Sequence, residues 1–254
     1  MAIIAKFTRT LPAPSATISG GFVFLLSAGW FTQANTGAAG SPIGGGANSI
    51  ANGGGDMQIF SDTATATRLP IEVVSFVTGG SPSAQVWVRT PSYTAGDTIT
   101  IGKDDTQTVQ PAVGAAFGRN ETRADSFLTT NMEIVDAIDS TGNSALTAGV
   151  GVTTAAAVND LGGGNNFDGA STAKYTMPNS APFGVTNLSV SVWLTINSTT
   201  GNFTRVLAKQ NSYNFIIRNN RLYCELWTVG GVKIFQGSGT LTNSVINHIA
   251  IDYD

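Results

Sequence analysis

The nine residues LSVSVWLTI, Leu188 to Ile196, decide how this chain is read. Successive side chains of a β-strand point to opposite faces. That places Leu188, Val190, Val192 and Leu194 on one face and Ser189, Ser191, Trp193 and Thr195 on the other. A strand with one apolar face must bury it against a second layer, so the segment implies a packed sheet with one side toward solvent. Trp193 breaks the pattern: on the otherwise polar face it either packs under a loop or is offered to a ligand.

Outward from this strand the same period of two recurs. AIIAKFTR, FVFLLSA, DMQIFS, IEVVSFV, AQVWVRT and TITIGK read as strands in the first half, and MEIVDAI, AKYTM, RVLAKQ, YNFIIRN, RLYCELWT, KIFQGSG and NHIAIDY in the second. Gly79-Gly80, Ala95-Gly96-Asp97, Asn219-Asn220 and Gly230-Gly231 supply turns between them. Asn219-Asn220 and Gly230-Gly231 predict an up-and-down meander of three strands. Helical spacing is almost absent, so the expected class is all-β with sandwiches of the jelly-roll kind. A chain of 254 residues suits two such domains. The strand pattern breaks at Pro111 and Gly114, which places the expected division near residue 125: a first sandwich over 1–125 and a second over 126–254.

Composition removes several functions. A net charge of −3 without a Lys/Arg cluster argues against nucleic acid as a partner, since phosphate binding needs clustered cations. One cysteine, Cys224, rules out an internal disulfide, and with one histidine, His248, a four-ligand Cys/His zinc site cannot form. Cys224, within RLYCELW, reads as a buried strand thiol. The apolar run GGFVFLLSAGWF is too short to span a bilayer. Pro12, Pro14 and Gly20-Gly21 separate it from Lys6 and Arg9, unlike a signal peptide. The expectation is no membrane span, no export, and assembly inside a cell. The glycine-rich stretch from Asn35 to Gly55 lacks the Lys-Ser/Thr ending of a phosphate loop and reads as a flexible or subunit-contacting loop.

Longer motifs carry a resemblance. NNFDGASTAKYTMPNSAPFGVTNLSVSVWL, the closing NHIAIDYD and the DSTGN turn from Asp139 to Asn143 resemble the laminin-G-like, concanavalin-A-like jelly roll. DMQIFSDTATATRLPIEVVSF and AQVWVRTPSYTAGDTITIGKDD resemble a small β domain of unknown function that often precedes that jelly roll in surface and phage proteins. IGKDD and MEIVDAI depart from the aromatic strands those families carry at the same points. The resemblance implies further strands after NHIAIDYD. The second sandwich is therefore expected to be incomplete, with a neighbouring chain or a continuation covering it.

Four chemistries can be weighed on these residues. Glycosidases of this fold place two carboxylates on one strand face, whereas Glu133, Asp136 and Asp139 are three residues apart and alternate in side. His248 alternates with Ile249 and Ile251, and no Gly-x-Ser-x-Gly elbow exists, so no triad is expected. The resemblance implies a structural Ca²⁺ as the one cofactor to look for, with Asp139 and Asp168 as candidate ligands, although both serve equally as turn formers. Sugar binding needs an exposed aromatic beside polar groups, for which Trp193, Tyr213 and Trp227 are the candidates. The expected function is a non-enzymatic virion structural protein: a bacteriophage decoration, fibre or tail-associated subunit. Its partners would be other virion subunits or copies of itself. The alternative is a carbohydrate-binding adhesin, extracellular or on a cell surface.

Overall fold

The computed structural model describes residues 3–32, 41–126, 128–130, 139–141, 143, 145–155, 164–178, 188–197, 204–228 and 230–253. The expected strand MEIVDAI, with Glu133 and Asp136, lies outside them, as do residues 35–40 of the glycine-rich stretch. Among the described residues strand makes up 51% and helix 6%, an all-β fold of several antiparallel sheets. Two compact units divide at Pro178.

The first unit, Met1–Pro178, opens with six long strands: β1 (Ile3–Thr10), β2 (Ile18–Ser27), β3 (Met57–Phe60), β4 (Ile71–Val77), β5 (Ser83–Tyr93) and β6 (Thr98–Asp104). They form two three-stranded antiparallel sheets, ordered β1-β6-β3 and β2-β5-β4. Phe7, Met57, Ile59, Ile99 and Ile101 of the first meet Leu26, Ile71, Phe76, Val86 and Val88 of the second in one core. The run GGFVFLLSAGWF is thus largely β2, followed by the one-turn helix α1 (Ala28–Thr32), with Leu26 and Phe31 fully buried.

Two features differ from expectation. The described part of the glycine-rich stretch, residues 41–55, is packed rather than loose. Ile43 and Ile50 are in the core, and Ser49 Oγ donates to Pro42 O at 2.8 Å. Two isoleucines within a run of small residues anchor it, with no strand period to announce them.

The second difference concerns the division near residue 125, which falls inside the first unit. Arg123, just past helix α2 (Arg119–Thr122), and Ser140 both reach back to Glu72 on β4. The rest of this unit pairs β7 (Thr147–Ala148) with β10 (Tyr175–Thr176) and β8 (Val152–Ala155) with β9 (Gly164–Phe167).

The second unit, Asn179–Asp254, contains β11 (Leu188–Thr195), β12 (Thr204–Lys209), β13 (Tyr213–Arg218), β14 (Arg221–Thr228), β15 (Gly231–Gln236) and β16 (Ile246–Tyr253). The expected meander is present and gains β12, giving the sheet β12-β13-β14-β15. Asn219 and Asn220 turn the β13–β14 hairpin with φ of 49° and 58°, the left-handed values a two-residue I′ turn requires. β11 pairs antiparallel with β16 from Leu188↔Tyr253 to Thr195↔Ile246. Burial along β11 alternates as its sequence dictates, and Leu188, Val190, Val192 and Leu194 pack onto Tyr213, Phe215, Ile217 and Leu226 of the larger sheet.

Among the described residues of this unit, two strands face four. At about 4.8 Å between strands, the larger sheet is about 14 Å across and its cover about 5 Å. The shortfall falls on β15, every residue of which is exposed. Phe235 pairs with Cys224 and so shares the inward face, yet is 52% exposed; Ile234, on the outward face, is 65% exposed. Among the described residues only β14 pairs with β15.

Candidate functional site

The outward face of the β11–β16 pair gathers the polar half of LSVSVWLTI. Register sets Trp193 directly opposite His248 and Ser189 opposite Asp252. Cross-strand neighbours on one face stand close enough for direct contact. The indole and imidazole stack with centroids 4.4 Å apart and planes 25° from parallel, while Trp193 remains 55% exposed. Ser191 Oγ lies 2.8 Å from His248 Nε2, and Ser189 Oγ donates to Asp252 Oδ1 at 2.5 Å. Between these two polar pairs an open groove of about 310 Å³ runs across Val190 and Ile251, bounded by Ser189, Ser191, Ala250 and Asp252. Ala250 makes the groove possible, since a larger residue at that exposed position would fill it.

Ser191 and His248 have the spacing of a nucleophile and its base, a contact that sequence reasoning missed. A hydrolytic triad also needs an acid that orients the second imidazole nitrogen. Asp252 shares the face but is four residues along β16, about 13 Å away, and is bonded to Ser189 instead. Among the described residues no carboxylate orients His248. The arrangement offers an aromatic surface flanked by hydroxyls, an imidazole and one carboxylate, which is equipment for holding a ligand.

The opposite outward face, on the four-stranded sheet, carries a polar row. Arg205 Nε donates to Asn214 Oδ1 at 3.0 Å, and Asn214 Nδ2 donates to Glu225 Oε2 at 2.9 Å. With Ile216 these three line an open groove of about 370 Å³. Trp227, 40% exposed, is paired with Val232 at the same sheet's edge. Trp193 and Trp227 therefore lie on opposite faces of the second unit.

Tyr213 takes neither position. It is 4% exposed and stacked on Phe215 in the core, and burial raises its hydroxyl pKa. Cys224 is the buried strand thiol expected, pushed up to about 11 by burial and, secondarily, by Glu225. Asp139 is buried in its turn, where Oδ1 accepts from Thr129 N at 3.2 Å and Thr141 N at 3.0 Å. Asp168 Oδ1 accepts from Ala170 N at 2.8 Å, the self-bonded turn that Asp-Gly favours. Among the described residues no three His, Cys, Asp or Glu side chains group as metal ligands, and no helix is long and apolar enough to cross a membrane.

Comparison with protein-family models, with curated proteins and with solved structures finds no match to this chain.

Proposed function

We propose that the chain is a non-enzymatic structural subunit of a virus particle, a bacteriophage decoration, fibre or tail-associated protein, that works by strand-edge assembly. The observation that carries this reading is β15. Exposed edge strands are normally protected by charge, proline or a covering loop, because their free N–H and C=O groups recruit other strands. β15 has one charge, Lys233, and exposes Val232, Ile234 and Phe235 around it. A strand from a second copy, added at this edge, would satisfy the backbone and cover the inward Phe235. The resemblance to jelly rolls of surface and phage proteins supplies the particle context, and the unoriented Ser191–His248 pair favours a non-enzymatic role.

Sedimentation velocity across a concentration series tests the assembly. The purified chain is expected to associate, and Ile234→Lys to remain monomeric. A wild-type protein that stays monomeric at high micromolar concentration overturns the proposal. Mass spectrometry of purified virions tests the location.

A second reading, a carbohydrate-binding adhesin, draws on the stacked, exposed Trp193.

A further inference from the structure

We infer that β15 pairs antiparallel with the β15 of one second copy across a two-fold axis through Ile234, closing a dimer instead of propagating a fibre. The inference rests on the reading of β15 as the assembling edge, and adds to it the partner strand, the register and the symmetry.

Backbone geometry selects the register. In an antiparallel sheet each residue directs its N–H and C=O to one side, and that side alternates along the strand. Gly237 N donates to Leu222 O at 2.8 Å, and Trp227 N donates to Ser212 O at 2.9 Å. Leu222, Cys224, Leu226 and Thr228 therefore bond toward β15, through Gly237, Phe235, Lys233 and Gly231, while Tyr223, Glu225 and Trp227 bond the other way, toward β13. Val232, Ile234 and Gln236 are then the residues of β15 whose N–H and C=O face the free edge. One register matches all three: Ile234 opposite Ile234 of the second copy, with Val232 opposite Gln236 of the second copy on either side of it.

The side chains agree with that register. On the inward face it sets Lys233 opposite Phe235 of the second copy, so the one charge of the strand meets an aromatic ring and never its own copy. Sliding one strand by two residues sets Lys233 against Lys233 in one direction, and in the other leaves Val232 without a partner on β15. On the outward face the two Ile234 side chains cover each other, flanked by Val232 and Trp227 of each copy. The other edge of the same sheet competes badly. β12 carries Arg205 and Lys209, and its pairing with β13 shifts register between Arg205 and Leu207. Charge and bulging both protect an edge, and the two cations repel Lys233. A β15-to-β12 contact would repeat head to tail and grow an open fibre, whereas a β15-to-β15 contact is consumed in one dimer.

Sedimentation equilibrium of the full chain, with oxidative cross-linking of cysteine variants in a Cys224→Ala background folded by circular dichroism, tests this. The wild type is expected to reach a dimer and stop there. Copper-phenanthroline oxidation of Lys233→Cys mixed with Phe235→Cys should give a disulfide-linked dimer. Either variant alone should give about tenfold less, because its two copies lie diagonally, about 7–8 Å apart, beyond the reach of a disulfide. Phe235→Glu, which faces Lys233 of the second copy, should dimerise about tenfold more tightly than Phe235→Lys, which meets it with a like charge. A dimer without the mixed cross-link, a single variant that cross-links as well as the mixture, or Glu and Lys at 235 dimerising alike overturns the register. Particles that grow past the dimer overturn the closed symmetry. All of these leave β15 standing as the assembling edge. A wild type that stays monomeric at high micromolar concentration, or a dimer that survives Ile234→Lys, overturns the inference and the assembly reading together.

Discussion

Replacing Arg123 by alanine probes how the segment after β6 is held to the first sandwich. Its guanidinium Nε donates to Glu72 Oε2 at 3.0 Å, both side chains are nearly buried, and the guanidinium lies 4.3 Å from the centre of the Trp87 ring. Ser140 donates to the other Glu72 oxygen. Burial lowers the Arg123 pKa, and Glu72 opposes that shift. At 3.0 Å and an effective dielectric of about 20, the gross attraction is about 5 kcal/mol. Removing one member of such a pair typically costs about 3–5 kcal/mol, since the other charge stays buried and uncompensated. For a unit of this size, each kcal/mol lowers Tm by about 2–4 °C, which gives a drop of about 6–20 °C. Thermal unfolding followed by near-ultraviolet circular dichroism measures it. The Arg123→Met, Glu72→Leu double variant should recover most of the loss, because an apolar pair of similar volume replaces both charges. A loss below about 1 kcal/mol in Arg123→Ala would refute the argument, as would a double variant as unstable as the sum of its singles.

Further outcomes follow from other sites. Iodoacetamide should alkylate native Cys224 about a hundredfold more slowly at pH 8 than an ordinary thiol, since a pKa near 11 leaves about one-thousandth as thiolate against about one-tenth at 9.0; mass spectrometry with and without urea checks this. Leu26→Ala, in the fully buried centre of the first core, should cost about 2–5 kcal/mol by urea denaturation. Asn219→Ala should cost about 1–2 kcal/mol, because alanine lacks asparagine's tolerance of the left-handed turn. The corresponding glycine variant should be close to neutral.

Much of the architecture is legible in local pattern. The alternation of LSVSVWLTI gives the buried face of β11 residue by residue, and Asn219-Asn220 and Gly230-Gly231 place the hairpins of the meander. What local pattern cannot supply is which strand becomes the neighbour. Trp193 and His248 are 55 positions apart, and only the β11–β16 register makes them a stacked pair beside Ser191. The Arg123–Glu72 contact, 51 positions apart, is equally invisible, which is why a break at Pro111 and Gly114 reads as a boundary. Tyr213 was accessible to sequence reasoning: it shares a strand face with Phe215 and Ile217, and that apolar alternation points to the core. Ile43 and Ile50 gave a weaker signal, two apolar residues within a run of small ones with no period to assign them to an element.

Hydrogen exchange at residues 231–236, read at rising protein concentration, tests strand-edge assembly most directly. Amides on the unpaired side of an edge strand exchange rapidly unless another strand bonds them. The account predicts that protection of β15 grows with concentration and disappears in Ile234→Lys. Fast exchange at β15 that is the same at every concentration would contradict it.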